Sequence, residues 1–438
     1  MAILITLGGI LLLVGLIARA KMYPFLAFFI VILLIGLCLG MQPAQLIQSV
    51  QNGIGTTLGS LVPIIALGAI LGKMIAISGA AQQISVTMVR WVGEKQVRWA
   101  FMITGFIVGL PLFYSVGFLL LVPIALTVAY RRELPAVYVC LPLLASLSVT
   151  QGYLPPHPAP LFLVKQLHAD MGLTLGYGIL ISIPAILISG ALYGSTVKKY
   201  NTPPNPAFVA PELDARELPS ITASLFTVLL PIVLIGAGTA CLSFFSGGSV
   251  MHRILELLSD ASISLLITVI IAFFSLGIFR RIKKEAFNTA MTDAVKDVAS
   301  ILLIFGVAGA LKQVLTDSGV SQIIAEKLSY LHMNPYVLGW SIAAVIRVMV
   351  GSSTVSGITT AGFVAPLLAS ASPVDANLMV LSIGAGSMMF SHVNDTGFWL
   401  FREYFQLSLK HTIATWSVMD TLVSVTGLLG VLLLSVFI

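Results

Sequence analysis

Between the apolar stretches 336–350 and 363–371 the chain carries Gly351-Ser-Ser-Thr-Val-Ser-Gly-Ile-Thr-Thr-Ala-Gly362. Neither flank alone reaches the roughly 20 apolar residues that cross a bilayer as a helix. A break at membrane depth frees backbone N–H and C=O groups, and these are tolerated only where protein or a water-filled cavity satisfies them. The stretch therefore reads as a re-entrant hairpin whose tip lines a site, or as a place where small residues let helices pack closely. Arg347 lies four residues before the tip, and a charge at that depth is by default a functional hypothesis.

Composition agrees with a membrane setting. Of 438 residues, 58% are hydrophobic and 9% charged, and the mean hydropathy is +1.03, which points to an all-α polytopic membrane protein. The formal charge of +6 does not mark a nucleic-acid binder, because the basic residues fall mostly at the ends of apolar runs, where they set topology. Cys38, Cys140 and Cys241 lack metal or redox spacing and read as packed thiols. No phosphate loop of the G-x-x-x-x-G-K-[ST] type appears, which counts against ATP-driven transport by this chain. No zinc-protease helix or G-x-S-x-G elbow appears either. No cofactor and no metal is expected.

Taken in order, apolar runs at about 3–18 and 23–40 flank Arg19 and Lys21, which puts that turn in the cytoplasm and the N-terminus outside. Residues 41–58 read as an external connector and about 59–77 as a third span. An amphipathic cytoplasmic segment with Arg90, Lys95 and Arg98 follows. Residues 99–130 break near Pro111–Gly117 and end on Arg131-Arg132, so they read as a second hairpin. The span about 136–168 breaks at Gly152-Tyr-Leu-Pro-Pro-His-Pro-Ala-Pro160, where four prolines forbid a regular helix. A span at about 173–194 returns to Lys198-Lys199, and 198–220 is a cytoplasmic linker. Beyond it come spans at about 221–245 and 261–279, the basic cluster Arg280 to Lys284, an amphipathic segment to about 298, and a span at 300–316. The hairpin 336–371, a span 376–408 broken at Ser391–Gly397 and a last span at about 414–437 complete the chain. That makes about ten spans, two hairpins and two broken helices.

Sliding the chain by 240 positions pairs Ser60 with Ser300, Leu71 with Leu311, Ser78-Gly79 with Ser318-Gly319, Gln82 with Gln322, Ile84 with Ile324, and Gly117 with Gly357. It also lays hairpin on hairpin and broken span on broken span. Five spans separate equivalent points, so residues 221–438 repeat 1–197 in inverted topology. In secondary transporters of that kind, substrate and ion sites lie at the midplane where discontinuous helices meet.

The candidate substrate-binding residues are those of the four breaks: Tyr114, Ser115, His157, Arg347, Ser352, Ser353, Thr354 and Asn394. Asp395, His157 and His392 are the candidates for binding a coupling proton. Arg347 either holds a substrate carboxylate through its planar fork or pairs with a structural partner such as Asp395. His157 reads as a site residue or as an interfacial histidine, and His392, Asn394 and Asp395 as a site or a satisfied network. Lys73 and Lys312 read as snorkelling side chains, and Lys165 and Asp170 stay ambiguous. Tyr23, Trp91, Trp340, Trp399 and Trp416 read as interface anchors.

On its motifs the chain resembles the gluconate:proton symporter family of the ion transporter superfamily, almost end to end. Those motifs are Gly152–Pro160, Gly351-Ser-Ser-Thr-Val355 with Ile358-Thr359-Thr360, Ser391-His-Val-Asn-Asp-Thr-Gly-Phe-Trp399, and Lys312–Gly319. The resemblance implies uptake of gluconate or a related sugar acid with protons across a bacterial inner membrane. It also implies a core holding both hairpins that moves against a scaffold forming a homodimer. Two positions depart from the pattern. The family's first hairpin usually reads Phe-Tyr-Glu-Val-Gly where this chain has Phe113-Tyr-Ser115-Val-Gly117, and Gln151 stands where a histidine commonly precedes the proline motif. Ser115 cannot carry a proton, which leaves Asp395, His157 or His392 to do so, or a different coupling ion. Another small hydroxy or amino acid substrate such as D-serine is the alternative within transport, and an intramembrane enzyme using the His and Asp of the broken spans is the alternative outside it.

Overall fold

The computed structural model describes residues 2–93, 96–200, 218–242, 244–245, 249–277, 284–320, 323, 333–370, 374–392 and 395–438. Most of the linker, together with Lys95, Arg280 to Lys283, Gln322, Ile324 and Asn394, lies outside these. Among the described residues every regular element is a helix. The first half holds α1 (Ala2–Ala18), α2 (Pro24–Cys38), α3 (Pro43–Ile77), α4 (Ala80–Val92), α5 (Val97–Gly109), α6 (Tyr114–Arg131), α7 (Ala136–Tyr153) and α8 (Pro158–Gln166), then α9 (Met171–Lys199). The second half holds α10 (Ile221–Leu242), α11 (Val250–Ser259), α12 (Ala261–Ala272), α13 (Lys284–Asp317), α14 (Pro335–Val350), α15 (Ser353–Ser370), α16 (Ala376–Gly386) and α17 (Thr396–Phe405), and finally α18 (Leu409–Leu434). Among the described residues seven helical stretches are long and apolar enough to cross a membrane, or eight if the pair bent by 78° at Asp260 counts as one. The architecture is that of an all-helical membrane protein.

Two boundaries differ from the expectation. Of the expected connector 41–58, residues 43–58 are the first half of α3, and the amphipathic segment to 298 is continuous with 300–316 in α13. The physical reason lies in their contact with each other. Gln42 precedes a proline at the first helical turn, and Leu46, Val50, Gly53, Thr57 and Leu61 then bury one stripe at helical spacing. That stripe lies along α13, and the backbones meet at glycine: a Cβ on Gly53 would fall 2.6 Å from Ala310 Cα, and one on Gly309 would fall 2.6 Å from Gly53 O. Both long helices stop in the same way. Ser78 and Ser318 donate to the carbonyls of Ile75 and Leu315, and Gly79 (φ 77°) and Gly319 (φ 74°) turn the chain through the left-handed region that glycine adopts without strain. Helix α11, which the sequence reading did not anticipate, keeps Val250, Met251, Ile254 and Leu257 exposed.

Helix α5 packs along α7, and α14 along α16. The broken pairs α7/α8 and α16/α17 meet backbone to backbone, since a Cβ on Gly384 would lie 2.3 Å from Gly152 O. That closeness brings the helix ends 110–114 and 351–353 into one neighbourhood with residues 387–392 and 395–396.

Candidate functional site

Arg347 sits in the last turn of α14 and is 3% exposed. Gly351 (φ 81°) ends that helix in the left-handed region and lets the chain double back. Ser352 then caps α15, its Oγ accepting from Val355 N at 3.3 Å. Asp395 caps α17, its Oδ1 accepting from Gly397 N at 2.9 Å. Its other oxygen, Oδ2, takes Arg347 Nη2 at 2.5 Å and also accepts from the Ser391 hydroxyl. Ser391 Oγ in turn accepts from the Trp416 indole at 2.8 Å. One helical turn beyond Trp416, Asp420 is 1% exposed and places Oδ2 3.9 Å from Arg347 Nη2.

These groups border a cavity of about 190 Å³, a size for a small acid rather than a drug-sized ligand. Three helix N-termini end on it: Tyr114 and Ser115 open α6, Ser353 and Thr354 open α15, and Thr396 and Gly397 open α17. Each brings the positive end of a helix dipole to the cavity, the arrangement that favours an anion, and on α17 the Asp395 carboxylate already takes the Gly397 N–H. Across from them, Gln151 Nε2 donates to Ser353 Oγ at 3.1 Å and ties α7 to α15. Among the described residues Arg347 Nε and Nη1 and the Tyr114 hydroxyl have no hydrogen-bond partner. Unpaired donors on a buried guanidinium are costly unless a ligand completes them. Among the described residues no group of three or more His, Cys, Asp and Glu side chains is placed to hold a metal ion.

Of the residues singled out in the sequence, Tyr114, Ser115, Arg347, Ser352, Ser353, Thr354 and Asp395 come together here. His157 does not: it is 3% exposed, its Nε2 lies 2.7 Å from the Gly109 carbonyl oxygen, and it faces a small space beside Pro111 and Phe113. His392 places Nε2 2.8 Å from the Val348 carbonyl oxygen and does not line the cavity. Asn394 lies outside the described residues. Arg347 proves to have Asp395 as its structural partner, one of its two open readings, and still faces the cavity. Trp416 corrects the sequence reading, for it is 2% exposed and lines the cavity instead of anchoring at an interface. Trp91 and Trp399, by contrast, are 63% and 41% exposed. Sequence reasoning passed over Asp420 altogether. Its signal was there, as the one acidic residue inside the last apolar run.

The cap on α17 carries a prediction. Asparagine keeps an oxygen that accepts from Gly397 N, whereas alanine does not, so Asp395→Ala is expected to be less stable than Asp395→Asn by about 1 kcal/mol. Comparing the thermal unfolding of the two variants in one detergent checks this, and equal stability would remove the cap from the account.

The whole chain matches known proteins. A family model described as "GntP family permease" covers residues 1–437. The "High-affinity gluconate transporter" of Escherichia coli (strain K12) is 42% identical over the full length of both chains. The "Gnt-II system L-idonate transporter" of the same strain is 39% identical over 99% of this chain and 98% of that protein. The "Gluconate permease" of Bacillus subtilis (strain 168) is 38% identical over 99% of each. Among solved structures, MtrF of Neisseria gonorrhoeae aligns with a TM-score of 0.64 at 13% identity over 95% of this chain and 96% of its own. The YdaH transporter of Alcanivorax borkumensis aligns with a TM-score of 0.59 at 19% identity over 87% of both chains. At these identities the two structures speak to fold alone.

Proposed function

The chain belongs to the GntP family of permeases, and from that premise we propose that it is a symporter importing gluconate or a closely related sugar acid with protons across the bacterial inner membrane. The observation that carries this reading is the cavity itself. A buried arginine with two donor nitrogens unused among the described residues, and three helix N-termini, converge on a space fit for one small carboxylate. Hydroxyls of Ser115, Ser352, Ser353 and Thr354 and the Gln151 amide around it suit a polyol chain. That two relatives are named for gluconate and L-idonate supports a sugar acid as the substrate class.

For the architecture we propose ten spans in an inverted repeat, with α5/α6 and α14/α15 as the two re-entrant hairpins, working as a homodimer. The capped ends of α3 and α13, 240 positions apart, support it, as do the two breaks that both meet the cavity at residues 114–115 and 352–354. In this topology a single cysteine at Gln42, in a protein with Cys38, Cys140 and Cys241 replaced, reacts with a membrane-impermeant thiol reagent added outside, and one at Lys199 does not. Equal labelling of both in sealed right-side-out vesicles would break the assignment.

Proteoliposomes test the function. With a pH gradient imposed, gluconate or L-idonate should accumulate and then leave when an ionophore dissipates the gradient. Accumulation driven only by sodium would replace the proton with that ion, and accumulation of D-serine in preference to both acids would replace the substrate class.

A further inference from the structure

Two carboxylates, Asp395 and Asp420, border the cavity, and they are not equivalent. Asp395 has both oxygens engaged: Oδ1 with Gly397 N, Oδ2 with Arg347 and Ser391. Asp420 is the more deeply buried, touches Arg347 only at 3.9 Å, and leaves Oδ1 without a hydrogen-bond partner among the described residues. It nonetheless lines the cavity with Ser115 and Ser148.

The groups facing Asp420 from the elements packed around α18 are few. Arg347 comes from α14 and Asp395 from the start of α17. Tyr114 comes from α6, its ring 6.0 Å from that of Trp416. Tyr153 of α7 and Tyr193 of α9 are occupied, donating to the carbonyls of Val423 and Ala414. Helix α16 brings no titratable side chain. The local charges are thus one guanidinium and two carboxylates. Adding the carboxylate of a sugar acid would set three negative charges against a single positive one in a largely buried site, which is unfavourable because a buried ion without a partner keeps its desolvation cost uncompensated.

We propose that Asp420 takes up the coupling proton, on the oxygen that no other group occupies, and that the sugar acid binds to the protonated form. The proton removes one of the two charges competing for Arg347 and leaves the guanidinium to the substrate carboxylate. Asp395 remains the group that positions Arg347 and caps α17. One anion then enters with one proton. This inference rests on the sugar-acid and proton reading above. By linkage, the same proton that favours substrate binding is itself bound more tightly when substrate is present.

Calorimetry on the purified protein, titrated with gluconate in buffers of different ionisation heat, counts protons taken up per substrate bound. The wild type is expected to take up about one proton above the midpoint of its pH dependence, where its Kd for gluconate rises about tenfold per pH unit. Asp420→Asn is expected to take up none, and its Kd to be flat with pH. If the wild type does not bind gluconate, the substrate reading fails and this inference with it. If it binds without proton uptake, the proton part of that reading fails and the inference with it. If the wild type takes up a proton and Asp420→Asn still does, the inference alone is overturned and Asp395 is the remaining carboxylate. Should Asp420→Asn not fold, Asp420→Glu decides: a carboxylate moved by one methylene shifts the pH midpoint if the proton resides there, and an unchanged midpoint overturns the inference.

Discussion

Arg347→Lys is expected to weaken gluconate binding on the order of a hundredfold, because a bidentate charge-assisted contact is worth a few kcal/mol and an ammonium is a point charge that cannot reproduce the planar fork. The structure sharpens the reason. The guanidinium has to serve Asp395 at 2.5 Å and Asp420 at 3.9 Å while keeping donors for a ligand, and Nε and Nη1 are the donors without a partner among the described residues. A lysine ammonium could hold Asp395, but from one centre it could not also span to the substrate with fixed geometry. Arg347→Ala should be worse still, since it leaves the buried Asp420 and the half-buried Asp395 without their shared counter-ion, and breaking a buried pair costs about 3–5 kcal/mol. Titration calorimetry on variants whose helix content and elution match the wild type makes the measurement. Unchanged gluconate affinity in a folded Arg347→Ala protein would take Arg347 out of the site.

Gly53→Ala and Gly55→Ala, two positions apart on the same helix, are expected to move stability in opposite directions. At Gly53 the three atoms nearest the added carbon are all backbone: 2.6 Å to Ala310 Cα, 2.6 Å to Gly309 O and 2.8 Å to Ala310 N. No rotamer can relieve such a contact, so α3 and α13 must part, and overpacking of this kind costs about 1–3 kcal/mol or more. At Gly55 nothing lies within 4 Å of the new carbon, and alanine in a helix interior is favoured over glycine by about 1 kcal/mol. Apparent melting temperatures in one detergent should therefore fall for the first and hold or rise for the second. A Gly53→Ala protein melting at or above the wild type would mean that the two long helices are not in backbone contact.

The helix breaks were legible in the sequence because proline, and glycine at positive φ, act on the chain locally: Pro155 to Pro160 and Gly351 need no distant partner to end a helix. The continuity of α3 was not legible. Residues 41–58 lack the density of apolar side chains that marks a span, and what holds them helical is a stripe pressed against α13, which lies some 240 positions away in sequence. Trp416 illustrates the same limit, since an indole near the end of an apolar run is an anchor or a cavity wall depending on which helices surround it, and only packing decides. With Arg347 and Asp395, residue chemistry narrowed the choice to a substrate contact or an ion pair, and geometry showed the pair. Asp420 escaped notice because a lone acid in an uninterrupted apolar stretch carries no break and no neighbouring motif to draw attention to it.

The chain of contacts from Trp416 through Ser391 to Asp395 gives the protein a built-in optical readout. Of its five tryptophans, Trp91, Trp99, Trp340 and Trp399 do not line the cavity, whereas Trp416 does, with its indole hydrogen-bonded to the serine that also serves Asp395. Indole emission responds to nearby charge and to loss of a hydrogen-bond acceptor. A protein retaining Trp416 as its sole indole would thus signal, in its own fluorescence and without an attached dye, each event that redistributes charge around Arg347.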